Sequence, residues 1–446
     1  MKSDFSFTTV GQYLSVLLCM LVLNGCVAFM PDRIHYVWDA EQANRSAASE
    51  LPASSASEDF VGLAFSGGGS RAALFAAAGA EALHEAGILE QVTHVSSVSG
   101  GSMASSYLLG SPPEACGQPV PENKASCESN YFARYKAAMP ENYFLPMEVG
   151  QVLHPNRFLS PTRRITSLQE AFDNKYLGQK TFGDLPEDRA LFINAASYDD
   201  GRRFVFSNLA IPVVENPTGH LQNRTLTARS FSLNECKAPT PDDFPLALAV
   251  AASAAFPPAL GPVSIEVPPA CNTTGTQYWH LGDGGILENT GVESLQEILL
   301  RQDLRGEGPA RAIIFSFDAG KRESIEANLA NRNLRLWTSD PGRVVSITNT
   351  RGDAYQSIVW AQQERDLDFP VKIVRIRYSD HVPTQWPESC SSRIQRNATL
   401  AEQLQAVPTR FNISDCDADL IEAAARLGVQ RAVQGDPELG AWLGTR

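Results

Sequence analysis

An α/β chain, with a central, mostly parallel sheet flanked by helices and interrupted by inserted loops, is predicted by three observations. Short apolar runs alternate with stretches of helix formers from Phe60 onward. The first two helices each open at a glycine-rich turn, SGGGSRA (Ser66 to Ala72) and SVSGG (Ser97 to Gly101). With 43% hydrophobic residues over 446 positions, the chain can bury one large core or two modest ones.

FVGLAF, Phe60 to Phe65, is a short apolar run that reads as a buried strand. SGGGS then leads into RAALFAAAGAEALHEAG, whose strong helix formers stop at Gly87, a residue type that accepts the left-handed C′ position. VTHVSSV, Val92 to Val98, is β-branched and reads as the second strand, and GGSMASSYLLG starts the second helix. Two successive strand–turn–helix units lay their strands parallel. ALFINAAS (Ala190 to Ser197), RAIIFSF (Arg311 to Phe317) and VKIVRIRY (Val371 to Tyr378) are the runs available to extend the sheet. Pro112 to Asn130 is polar with two cysteines, and Met139 to Pro161 carries prolines and aromatics without a period; both read as insertions or lids near 111–165. Ala40 to Asp59 is rich in Ala, Ser and Glu, so residues 26–58 are expected to be a flexible tether and 59–446 the folded domain.

Tyr13 to Leu23 (YLSVLLCMLVL) is an apolar run too short to cross a hydrocarbon layer of roughly 30 Å as a helix, and it suits the core of a signal peptide. It ends in LNGC, Leu23 to Cys26, which resembles the bacterial lipobox, where the cysteine becomes the lipidated first residue. On this reading residues 1–25 are a lipoprotein signal, Cys26 anchors the protein to a membrane, and the bacterial cell envelope is its compartment. Val27, in place of an inner-membrane-retaining aspartate, favours the outer membrane. Six cysteines then remain, an even number suited to an oxidising compartment. Pairing neighbours, the simplest guess, joins Cys116 to Cys127, Cys236 to Cys271 and Cys390 to Cys416. None has the CxxC spacing of a zinc or redox site. A net charge of −13 argues against a nucleic-acid partner and against purely electrostatic docking on anionic lipid.

The turn SGGGSRA sits where unsatisfied helix N–H groups point outward, a place suited to a phosphate or an oxyanion. No Gly-Lys-Ser/Thr follows, which removes a phosphate-binding P-loop. Gly67, Gly69 and Ala72 fit G-x-G-x-x-A, but the second strand ends VSSVSGG without the acidic residue that holds a ribose, and Glu90 lies before that strand. Taken alone, the turn is compatible with a purely structural role.

SVSGG is compatible with a flexible turn or with a nucleophile elbow, where residues two before and two after the nucleophile must be small. Ser99, between Ser97 and Gly101, meets that demand; Ser96 and Ser97 have bulky neighbours, and Ser102 would fall inside the helix. A nucleophilic serine needs a base. Asp283, in WHLGDGGILENTG after a possible short strand, is the candidate, although Asp-Gly is a common turn pair. His381 is the one histidine after Asp283 and reads as a surface residue; His84 and His94 read as packing or solvent-facing residues.

Glycine turn, serine elbow and distant DGG aspartate, in that order, resemble the patatin-like phospholipase family, including its cytosolic phospholipase A relatives. The matching segments are SGGGSRAALFAAAGAEALHEAGI, SVSGG, AVAASAAFPPALGPV (Ala249 to Val263) and DGGILENTG, from about Phe60 to Gly291. The resemblance implies a three-layer fold and a Ser-Asp dyad, with Ser99 as nucleophile, Asp283 as base without histidine, and Gly67, Gly68 and Gly69 as the oxyanion hole. Arg71 is implied to brace the glycine turn, with Gly101, Gly284 and Gly285 in supporting places. Ser66 stands where plant patatins carry aspartate, and Ser97 replaces the first glycine of the elbow. The implied activity is hydrolysis of fatty-acyl esters of membrane lipids, of phospholipase A or lysophospholipase type, with no metal or organic cofactor. Lipid acyl transfer by the same dyad and a non-catalytic lipid-binding lipoprotein are the alternatives.

Overall fold

The computed structural model describes residues 33–37, 59–112, 124–158, 160–223, 225–233, 239–257, 260–268, 277–320, 340–391, 399–437 and 439–440. The signal-like run, Cys26, most of the expected tether, and Cys116, Cys236 and Cys271 lie outside these residues. The strands are β1 (Ile34–Tyr36), β2 (Asp59–Phe65), β3 (His94–Val98), β4 (Ala190–Ser197), β5 (Arg203–Ser207), β6 (Arg229–Ser230), β7 (Val263–Glu266), β8 (Tyr278–Asp283), β9 (Arg311–Asp318) and β10 (Val371–Arg377). The principal helices are α1 (Gly69–Glu85), α2 (Gly100–Gly110), α3 (Lys124–Ala138), α4 (Phe144–Leu153), α5 (Pro161–Phe172), α6 (Leu246–Ser253), α7 (Val292–Arg305), α8 (Asp340–Asp366), α9 (Leu400–Ala406) and α10 (Asp415–Gly435).

These strands form one sheet in the order β1-β7-β8-β4-β3-β2-β9-β10, with β5 and β6 attached through β4. The five apolar runs read from the sequence make up the parallel block β4-β3-β2-β9-β10. β5 and β8 join β4 antiparallel, and β7 joins β8 antiparallel. Alternate residues of β2 enter opposite cores. Val61, Leu63 and Phe65 share one with Leu74, Phe75 and Leu83 of α1, while Phe60 and Ala64 share the other with Val292, Leu295 and Ile298 of α7. The result is the expected α/β arrangement of helix layers on both faces of a mostly parallel sheet.

Every residue of α1 from Gly69 to Ala80 is buried, because the helix lies between the sheet and α10. Alanine-rich sequence permits such close packing on both sides. Gly87 adopts φ 70° just past the helix, and its N–H donates to the His84 carbonyl at 2.9 Å, as the C′ reading expects. Arg426 on α10 pairs with Glu81 and Glu85 of α1, and Lys136 bridges Glu81 and Glu422, so the C-terminal helix is also pinned electrostatically.

Cys390 and Cys416 form a disulfide that ties the segment before α9 to α10, and Cys127 is also disulfide-bonded. Opening a loop of this length removes about 3 kcal/mol of stability in the chain-entropy account. Cys390→Ala with Cys416→Ala is therefore expected to lower the thermal midpoint, and an unchanged midpoint in a calorimetric scan would count against a stabilising role.

Two segments differ from expectation. β1 lies inside the expected tether: it pairs with β7, Tyr36 donates its hydroxyl to Asp243 at 2.9 Å, and His35 Nε2 meets the Thr162 carbonyl at 2.8 Å. A three-residue strand, IHY, carries too little pattern to be read in advance. Within 124–158, read as insertion, α3 and α4 are helical, and Tyr131, Phe132, Tyr135 and Tyr143 are buried. The rings of Tyr107 and Tyr135 stack at 4.8 Å, so aromatic packing rather than a clean helical period holds this segment.

Candidate active site

Strand register brings the site together. Val98, the last residue of β3, pairs with Asn194 of β4, and Asp283, the last residue of β8, pairs with the next residue, Ala195. Ser99 follows Val98 and therefore meets Asp283 above one point of the sheet. The Ser99 hydroxyl donates to Asp283 Oδ2 at 3.0 Å, and the Gly285 N–H donates to Asp283 Oδ1 at 2.7 Å. Both residues are buried, at 8% and 5% exposure, so bulk water does not compete for this pair.

Ser99 has φ 50°, a left-handed conformation that a side chain tolerates only when the surroundings enforce it. It is the N-cap of α2, which places its oxygen at the positive end of that helix. The enforcing contacts come from α6 and β4. The Ser99 N–H donates to Ser253 Oγ at 2.8 Å, and Ser253 in turn donates to the Asn194 carbonyl at 2.6 Å. Asn194 Nδ2 donates to Ser96 Oγ and to the Ser97 carbonyl, both at 2.9 Å, and Ser294 donates to its Oδ1. Among the neighbouring serines, Ser97 meets Ser105 and Ser102 meets Ser253; Ser99 alone reaches Asp283.

The glycine turn packs directly on this elbow. A Cβ on Gly100 would lie 2.1 Å from the Gly69 carbonyl oxygen, and one on Gly101 would lie 2.4 Å from that of Phe65. A Cβ on Gly67 would approach Ser99 Cβ to 3.3 Å. Gly68 and Gly69 have φ 144° and 62° and open α1, so two helix N-termini converge at Ser99. The Gly67 N–H is already committed, donating to the Asn289 carbonyl at 2.9 Å. Among the described residues the amides of Gly68 and Gly69 have no such backbone partner.

Arg71 is buried behind the turn, where its Nε donates to the Ala319 carbonyl at 3.1 Å and its Nη1 to that of Val407 at 3.0 Å. It thereby links the turn to β9 and to the C-terminal third. Ser66, in the position of the plant aspartate, accepts the Ala319 N–H at 2.8 Å. Gly284 lies so close to β4 that a Cβ would stand 2.5 Å from the Asn194 oxygen. The following ENTG segment is fastened by Glu288, which accepts from the Thr290 N–H and hydroxyl and from the Gly291 N–H. A cavity of about 270 Å³ lies behind it, lined by Leu287, Asn289, Leu300, Tyr355 and Val359 among others; neither Ser99 nor Asp283 lines it.

Burial pushes the Asp283 carboxyl up to about 6, against the opposing pull of the Gly285 amide and the Ser99 hydroxyl. No described histidine hydrogen-bonds to Ser99 or Asp283. His94 is buried, stacked on Phe60 at 4.1 Å and held near 3 by desolvation; His84 pairs with Glu90, and His381 packs against Gly428 of α10. Among the described residues no cluster of His, Cys, Asp or Glu is arranged to hold a metal ion. Ser253, Asn194, Asn289 and Arg410 were not singled out from the sequence. Only Ser253 had a readable signal, as the one hydroxyl in the small-residue run AVAASAAF.

The patatin-like phospholipase family model matches residues 63–295, just over half the chain, and the protein belongs to that family. No curated protein matches the sequence significantly. Among solved structures, the chain is similar to human GIVD cytosolic phospholipase A2, at 12% identity and a TM-score of 0.42, over 95% of this chain and 61% of that one. It is also similar to VipD from Legionella pneumophila, at 13% identity and a TM-score of 0.30, over 92% and 72% of the two chains. A third is a chain of the SpcU–ExoU complex of Pseudomonas aeruginosa, at 14% identity and a TM-score of 0.22, over 76% and 59%. The chain thus spans 61% of the length of the human enzyme in the first of these alignments.

Proposed function

We propose that the protein is a serine lipid acyl hydrolase of phospholipase A or lysophospholipase type, working through Ser99 and Asp283. The observation that carries this reading is the buried 3.0 Å hydrogen bond between the Ser99 hydroxyl and Asp283 Oδ2, beside two glycine amides that have no backbone partner among the described residues. Asp283 takes the hydroxyl proton as Ser99 attacks the ester carbonyl, and the Gly68 and Gly69 amides receive the developing oxyanion. Collapse expels the alcohol portion of the lipid, which leaves with the proton held by Asp283. The acyl-enzyme then yields to water that Asp283 deprotonates, releasing fatty acid and restoring Ser99. Preorganised amides and helix ends supply the stabilisation in a site shielded from water. With the lipobox reading of Cys26, the protein is placed at the bacterial envelope, held by an acyl anchor on the membrane that contains its substrate.

Mass spectrometry of products from a bacterial lipid extract tests this reading: fatty acid and lysolipid should accumulate with the wild type and not with Ser99→Ala. Asp283 must be ionised to act, and its carboxyl lies at about 6. Hydrolysis of a soluble ester should therefore rise with pH through about 6 and fall roughly ten-fold per unit below it. A profile flat between pH 5 and 8, measured by initial rates, would contradict Asp283 as the base.

A further inference from the structure

α4 (FLPMEVGQVL) carries an apolar face that no other described element covers. Met147 and Gln151 are buried, and a Cβ on Gly150 would lie 3.1 Å from Ser167 Oγ, so this side rests on α5. Around the helix, Leu145, Val149, Val152 and Leu153 are 59%, 47%, 69% and 71% exposed, and Phe144 at its start is 54% exposed. The spacing i, i+4, i+7, i+8 lines one side of a helix, and Glu148 is the sole charged side chain in it. Apolar groups concentrated in this way exceed the scattered surface hydrophobicity of a soluble face and call for a covering partner.

The position of the face identifies that partner. The N–H of Tyr143, just before α4, donates to the Phe411 carbonyl at 3.0 Å, and the adjacent Arg410 carbonyl accepts the Ser70 N–H, directly behind the glycine turn, at 2.9 Å. The exposed helix therefore begins at the active-site end of the molecule. α5, on which it rests, is tied to β1 through His35 and Thr162. Ile34 stands eight residues after Cys26, a stretch that reaches at most about 28 Å when extended. An acyl anchor on Cys26 would hold the bilayer within that distance of β1. The net charge of −13 leaves apolar contact, rather than charge, to drive adsorption.

We infer that α4 is an interfacial helix that seats Leu145, Val149, Val152 and Leu153 in the lipid leaflet and so presents the active-site end to membrane esters; this rests on the lipid hydrolase reading above. The test is flotation of the full chain carrying Cys26→Ser with vesicles of phosphatidylethanolamine and phosphatidylglycerol, with and without Leu145→Glu plus Val152→Glu. The double substitution should weaken flotation and hydrolysis of a vesicle-borne long-chain phospholipid about ten-fold or more. Hydrolysis of a water-soluble butyrate ester should stay within about two-fold, since the sites are exposed. Val149→Glu with Leu153→Glu takes the place of the first pair should that pair fail to fold. Equal flotation of substituted and unsubstituted chains overturns the inference. So does a concentration-dependent dimer abolished by the substitutions, because a second copy would then cover the face. Flotation is independent of turnover: a chain that cleaves neither ester refutes the hydrolase reading, while its flotation still decides the role of α4.

Discussion

Replacing Ser99 by alanine is expected to lower ester hydrolysis by about 10⁴-fold or more, the usual scale for removal of a covalent nucleophile. The fold should survive, because among the described residues the hydroxyl makes a single hydrogen bond, to Asp283, while the backbone N–H that holds the elbow to Ser253 remains. The elbow itself costs stability. At φ 50° a residue with a side chain carries about 1–3 kcal/mol of strain that glycine does not. Ser99→Gly should therefore be as inactive as Ser99→Ala but melt at a higher temperature. Equal melting of the two variants would mean that the elbow is relaxed.

Asp283→Asn is expected to reduce turnover by about 10⁴-fold, since the amide cannot accept the Ser99 proton. Its effect on stability runs the other way. Burial raises the carboxyl from 3.8 in the unfolded chain to about 6 in the folded protein, so the folded state binds more protons between those values. The contribution of Asp283 to stability is accordingly full below about pH 4 and is lost as pH rises through about 6. The ionised carboxylate is thus held at a cost on the order of 3 kcal/mol at neutral pH, which asparagine avoids. Denaturant melts at pH 8 should show the variant more stable than the wild type, with the difference closing at pH 4. A destabilised variant at pH 8 would indicate that the carboxylate is held by favourable charge interactions rather than forced into a dry site.

Legibility in the sequence followed burial. The runs that became β2, β3, β4 and β9 are central strands buried on both faces, and such strands read as continuous apolar segments, whereas β10 lies at the sheet edge, half-buried, and was legible from its β-branched residues. β1, β5, β6 and β7 are short or peripheral, and RS or IHY offers no periodicity to find. The Ser99–Asp283 pair was legible because its demands are local: a serine flanked by small residues, and an aspartate followed by two glycines that can approach β4 and supply an amide. Its supports were not, because Asn194, Asn289 and Arg410 act through backbone carbonyls or through contacts set by distant register. The commitment of the Gly67 amide to Asn289 belongs to the same class, since nothing in SGGGS distinguishes one amide from the next.

The most direct test of the Ser99–Asp283 account is modification by a long-chain alkyl fluorophosphonate, followed by peptide mass spectrometry at pH 8. One adduct is expected, on Ser99, formed at a rate that falls steeply in Asp283→Asn and drops in the wild type as pH is lowered through about 6. An adduct on a different residue, or an undiminished labelling rate in Asp283→Asn, would contradict it.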